Sequence, residues 1–220
     1  MNGELITDYR WALNQLKAVY NLWPNISPKV ILTDAAPALL ATVAEVFPDA
    51  AHLLCSWHAT QAIEVHCRPL FYKGKTAKAS KQQRDAWEEF EKHWKKVLWS
   101  QTEEEYKDNW THMRRKYGRT KHASSILYIQ DEWLTPNKEK LIAAWTNLHM
   151  HFGQTTSNIA EGLHALIKLD LPRCNGDLYL LWETIYDVVV RQLHSLHQEQ
   201  AKQRTEKSRR SPGEFYSDCR

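Results

Sequence analysis

No apolar run in this chain approaches the about 18 residues that crossing a bilayer requires, so no membrane partner is expected. The first nine residues are polar and acidic rather than basic and then apolar, so no secretory leader is expected either. Cysteine is sparse. Cys55, Cys67, Cys174 and Cys219 are too widely spread for a disulfide framework and predict free thiols in a reducing compartment. There is no internal repeat, no second CxxC or HxxxH pattern, and no zinc finger or other module that reads DNA sequence. A large excess of one charge is also lacking: a net charge of +3 and a pI near 8.6 permit a nucleic-acid partner without arguing for one. These absences predict an intracellular protein, nuclear or otherwise, with no small-molecule cofactor.

Aromatic residues are plentiful, with ten Trp and nine Tyr, and their spacing predicts helix packing before stacking on bases. A length of 220 residues suits one large domain or a small core carrying an insertion. The stretch from Pro28 to His66 organises the rest. Val30-Ile31-Leu32 is β-branched and apolar without alternation, which predicts a strand buried on both faces of a parallel sheet, with Asp34 just past its end. Pro37 opens a helix whose stripe is Leu39, Leu40, Val43, Val46 and Phe47, and Pro48-Asp49 stops it. A second strand over His52–Cys55 then lies parallel to the first by the crossover rule.

Before this unit, Tyr9, Leu13, Leu16, Val19 and Tyr20 predict a helix from Thr7 to Leu22, capped by Thr7 or Asp8. After it, the polar, Lys-rich stretch 72–83 reads as a connection. Trp87, Phe90, Trp94, Val97 and Leu98 form one helix face, and Thr102 with Glu105 form a capping box for the next helix, ended by Gly118. Further helices are predicted over 125–133 and 137–150. A hydroxyl-rich turn at 153–157 leads into a helix through about Leu169, on which Glu161, His164 or Ala165, and Lys168 share a face. Asp177 caps a long final helix with a stripe of Leu178, Leu181, Ile185, Val188, Val189 and Leu196. The expected organisation is a core over 1–70, an all-helical insertion over 71–152, C-terminal core helices over 153–200 and a basic flexible tail over 201–220.

Each candidate site residue has two readings. Asp34 stands where open α/β sheets collect ligands, and it equally suits the cap of the turn before the helix. Glu161 brings a second carboxylate, though a helix glutamate taken alone is a solvated one. Cys55 and His58, two residues apart with His66 and Cys67 following, form half a zinc pattern; without a second half, zinc is not expected, and His58 instead orients the carboxylates. A Cys-His nucleophile pair is set aside because Cys55 ends a buried strand. Lys202, Arg204, Lys207, Arg209 and Arg210 suit a phosphate grip or an import patch, and equally a solvated tail.

VILTDAAPALLATVAEVFPDAAHLLCSWH, the helix motif TTSNIAEGLHALIK and the GDL that opens the last helix together resemble the Mutator-like element (MULE) transposase domain. The likeness spans about Glu4 to Arg191. It implies an α/β, ribonuclease H-like core with a large all-α insertion between the second and third acids of an Asp, Asp, Glu triad, mostly helical overall. Asp34 then corresponds to the second acid and Glu161 to the third. Cys55 and His58 match the CxxH element, with His58 and His164 as auxiliary groups near the phosphate. The implied cofactor is a pair of Mg2+ or Mn2+ ions. The implied partners are DNA, as transposon ends and target contacted by Lys168 and the basic tail, and a second copy in a homo-oligomer. The first acid should sit in an antiparallel section ahead of the first helix, yet only positions 1–6 precede it, and neither Glu4 nor Asp8 lies in a strand pattern. The expectation is a truncated copy, inactive as given. The alternative is a transposase-derived DNA-binding or regulatory module without catalysis.

Overall fold

The computed structural model describes residues 5–23, 26–72, 80–170 and 178–209, without side chains at 159, 164, 166, 167, 169, 170, 178 and 206–209. The chain is mostly helical with two parallel strands and divides into two compact units, 1–157 and 158–220.

In the first unit, α1 (Ile6–Tyr20) precedes β1 (Val30–Thr33), α2 (Pro37–Val46) and β2 (Ala51–Leu54). The strands run parallel in the register Val30↔Ala51 to Thr33↔Leu54, with α2 as the crossover. Ladder bonds extend beyond both ends: Ala51 N–H donates to Lys29 O at 2.9 Å and Cys55 N–H to Thr33 O at 2.7 Å. The second strand therefore starts one residue earlier than predicted, and Cys55 is the N-cap of α3 (Ser56–Cys67). β2 buries Leu53 and Leu54, whereas β1 is half-buried along its length rather than buried on both faces. Among the described residues β2 is its only strand neighbour, so one edge and part of its faces stay open.

The helix α1 begins at a cap, Leu5, that has no side-chain acceptor; Thr7 and Asp8 lie inside the helix rather than capping it. It docks on α2 by polar and rim contacts. Arg10 grips Glu45 through two hydrogen bonds of 2.8 Å, Lys17 Nζ donates to Val46 O at 2.8 Å, and Tyr20 meets Phe47 edge-on. None of its residues is buried; Leu16 and Val19 of its apolar stripe are exposed, as is Trp11.

The helical region builds the main core. In α4 (Lys81–Leu98) Ser80 and Gln83 form a reciprocal capping box, and the predicted face Trp87, Phe90, Trp94, Val97 and Leu98 is fully buried. In α5 (Glu103–Tyr117) Thr102 accepts from Glu105 N–H at 3.1 Å, but Glu105 Oε2 returns to Gln101 N–H at 2.7 Å, so the predicted box is offset by one residue. Tyr106, Trp110, Met113 and Tyr117 complete the face that meets α4.

Next comes α6 (Ala123–Tyr128), which widens into a π-helical stretch over Ile129–Leu134 before α7 (Thr135–Leu141). Pro136 is the second residue of α7, which directly follows the π-helical stretch. The single helix predicted over 137–150 is instead cut at Ile142, which is extended (φ −82°, ψ 136°) and opens the short α8 (Ala143–Thr146).

In the second unit, α9 (Asn158–Asp170) packs with α10 (Leu178–Arg209). The long helix continues to Arg209, so the region predicted as a tail from 201 is helical over its first nine residues. Of the stripe predicted on α10, Val188 is buried, Leu181 and Ile185 are half-buried, and Val189 and Leu196 are exposed.

Candidate active site at the carboxyl ends of the strands

Because Thr33 pairs with Leu54, the two strands end flush, and the next residues are Asp34 and Cys55. Asp34 is exposed, and its Oδ1 accepts the Ala36 N–H at 3.3 Å. One oxygen thus caps the turn into α2 while the group still faces solvent. The backbone beneath it is held by a side-chain relay. Thr33 Oγ1 donates to Asp34 O at 2.7 Å, and His52 Nε2 lies 2.7 Å from the same hydroxyl. Since the hydroxyl has one proton, His52 must carry its own on Nε2 to donate it. Its Nδ1 is then bare, buried and without a hydrogen-bond partner. Burial, aided by the nearby Lys140 charge, pushes the His52 pKa down to about 4, which keeps the ring neutral.

On the other strand end, the CSWH segment closes on the residues that precede α9. Cys55 is 1% exposed, and its Sγ accepts both the N–H of Ser157 (3.3 Å) and its hydroxyl (3.4 Å). Ser157 Oγ also lies 3.5 Å from His58 Nδ1. Ser56 adds a second pair, its N–H and its hydroxyl both donating to Thr155 O at 2.9 Å. The Cys-x-x-His spacing therefore builds a clasp on 155–157. Sequence reasoning reaches the motif but not this partner, which lies about a hundred residues away.

The other half of the zinc idea is placed elsewhere: His66 stacks on Tyr128 at 3.7 Å, and Cys67 Sγ is buried 4.0 Å from Ser125 O. Burial pushes the Cys67 thiol up to about 11. Among the described residues no three His, Cys, Asp or Glu side chains gather as a cation cage.

Glu161 and Lys168 lie in the first and last turns of α9, in the second unit, with Glu161 half-buried and Lys168 exposed. The side chain of His164 lies outside the described ones, as do those of Lys207 and Arg209, and Arg210 lies outside the described residues. Lys202 and Arg204 are exposed on α10, with Lys202 4.0 Å from Glu199.

A basic groove was not singled out from the sequence. Arg114, Arg115 and Arg119, with Thr111, Leu127 and Gln130, line an open groove of about 730 Å³ at the end of α5. The signal was the run Arg114-Arg115-Lys116-Tyr117-Gly118-Arg119, in which Lys116 turns away to pair with Glu89 and leaves three guanidinium groups at the groove. The carbonyl end of α5 favours cations there.

The 1–62 portion is thus an α/β crossover unit with a carboxylate at the carboxyl end of its first strand, followed by a Cys-x-x-His clasp. Residues 1–62 match the family model for the MULE transposase domain. The match takes in Asp34, Cys55 and His58 and ends within α3, ahead of the helical region and the TTSNIAEGLHALIK and GDL segments. No curated protein matches the chain.

Proposed function

We propose that this chain is part of a Mutator-like transposase core with a ribonuclease H-like sheet, acting on DNA through Asp34 and Glu161. The observation that carries this is the position of Asp34, flush with the carboxyl ends of a parallel pair, inside the segment that matches the MULE transposase domain. Ligands of open α/β sheets collect in that crevice. Carboxylate oxygens at this place suit Mg2+ or Mn2+. Such an ion, when bound, activates a water or 3′-hydroxyl and stabilises the leaving oxygen of a phosphodiester.

The chain's own residues then divide the work. Asp34 presents one carboxylate on a backbone held by Thr33 and His52. The clasp on Ser157 fixes the residue next to the start of α9, four positions before Glu161. The Arg114, Arg115 and Arg119 groove takes the phosphate backbone, and Lys168 with the basic residues of α10 extends the contact. Two of the three expected acids have candidates here, so the chain as given binds DNA and does not nick it with Mg2+ or Mn2+. The test is a nicking assay with either metal: strong cleavage abolished by Asp34→Ala and by Glu161→Ala would overturn the inactive reading and leave an enzyme.

A second reading, a DNA-binding or regulatory module without catalysis, is favoured by the arginine groove, which uses neither acid. Salt-sensitive DNA binding that survives both acid substitutions and metal removal would select it.

A further inference from the structure

Four of the ten indoles, those of Trp87, Trp94, Trp110 and Trp133, are buried, and two of the exposed ones meet at an open pocket. Trp57, in the first turn of α3, and Trp99, at the end of α4, are 43% and 44% exposed. Both line one cavity of about 410 Å³, shared with Thr60, Gln61, Lys95 and Thr156. Trp57 follows Cys55, the residue after the end of β2, by two residues, so the pocket includes the first turn of α3. Two large rings left half-open in one cavity offer flat apolar surface, and the Gln61 amide and the Thr60 and Thr156 hydroxyls offer donors and acceptors at its edge.

Its charges select among ligands. Glu64 and Glu91 also line the cavity, and each is paired with a cation one turn further along its helix, Arg68 and Lys95. Neither sign is left in excess, so the pocket suits neither a phosphate nor a cation. It suits a neutral, planar group with polar edges. Stacking on aromatic side chains is how proteins hold unpaired bases, and every base has such a face.

We propose that the Trp57–Trp99 pocket holds one unpaired nucleobase of the DNA. This rests on the DNA-acting reading above. It adds a substrate feature that reading does not require: a base held out of the duplex.

The probe is a short duplex carrying 2-aminopurine either as a single unpaired base or fully paired, bound by the whole chain. The wild type binds the unpaired-base duplex about ten-fold more tightly than the paired one and quenches its 2-aminopurine. Trp57→Ala and Trp99→Ala each lose the preference and the quenching while keeping blunt-duplex affinity, and Trp57→Phe keeps most of both. Both rings are on the surface, and unchanged circular dichroism and melting confirm that the variants fold. Equal binding of the two duplexes, unaffected by either substitution, overturns this assignment alone. Failure of the wild type to bind any DNA overturns it together with the DNA-acting reading. Shielding of the two indoles from acrylamide as protein concentration rises without DNA would make the pocket a contact between protein chains and also overturn it.

Discussion

Ser157 is held to Cys55 by two hydrogen bonds, its N–H at 3.3 Å and its hydroxyl at 3.4 Å from the same sulfur. Removing the sulfur leaves a part-buried N–H without its acceptor, which costs about 1–3 kcal/mol. Cys55→Ala should lower urea stability by that amount and Ser157→Ala by less, since the backbone N–H bond survives. Equal, negligible effects of both substitutions would deny the clasp. In a background lacking Cys174 and Cys219, the buried thiols of Cys55 and Cys67 should react with a thiol reagent only as fast as the protein opens.

The relay beneath Asp34 predicts a pH dependence. The His52 pKa is lowered from 6.5 to about 4, so below pH 6.5 the unfolded chain takes up a proton that the folded one refuses. Stability contributed by neutral His52 is present above pH 6.5 and is lost as pH falls from there to about 4. Cys67, raised from 9 to about 11, acts at the other end: the folded chain disfavours the thiolate, so stability falls as pH rises from 9 to about 11. His52→Gln, which keeps a donor to Thr33 without titrating, should flatten the acid limb of a melting-temperature profile. An unchanged limb would place the titration elsewhere.

Gly118 supports the arginine groove through its backbone. A Cβ added there would lie 2.6 Å from the carbonyl oxygen of Arg114, too close for the turn that ends α5. Gly118→Ala should destabilise the fold by about 1–3 kcal/mol and lower the melting temperature measurably. Unchanged melting would mean that the turn relaxes freely.

The arginines themselves predict a salt effect. Each phosphate contact contributes about 0.9 to the slope of log affinity against log salt on duplex DNA. Replacing Arg114, Arg115 and Arg119 together with Ala should shrink that slope by about 3 and weaken binding to all sequences alike. A slope identical to the wild type would remove the groove from the interface.

What the sequence made legible follows from local chemistry. Val30-Ile31-Leu32 followed by Thr33-Asp34 sufficed to place a strand and its terminal acid, and the 3.6-residue stripe from Trp87 to Leu98 sufficed to place a buried helix face. The same stripe in α1 marked a helix but not its environment, because periodicity says which face is apolar and not what covers it. Ser157 as the partner of Cys55 was out of reach, since contacts across a hundred residues leave no trace in spacing. The break at Ile142 and the π-helical stretch before Pro136 come from packing that propensity does not encode. The Arg114–Arg119 run was visible as charge, yet only the structure separates the three groove-facing arginines from Lys116, which Glu89 holds.

The most direct test of the central claim is Mn2+ binding to the DNA-bound chain, read by electron paramagnetic resonance. Wild type should hold Mn2+, and Asp34→Asn and Glu161→Gln should each release it while DNA affinity persists. Mn2+ retained in full by either variant would contradict the proposed role of that carboxylate as a metal ligand, on which the transposase reading stands.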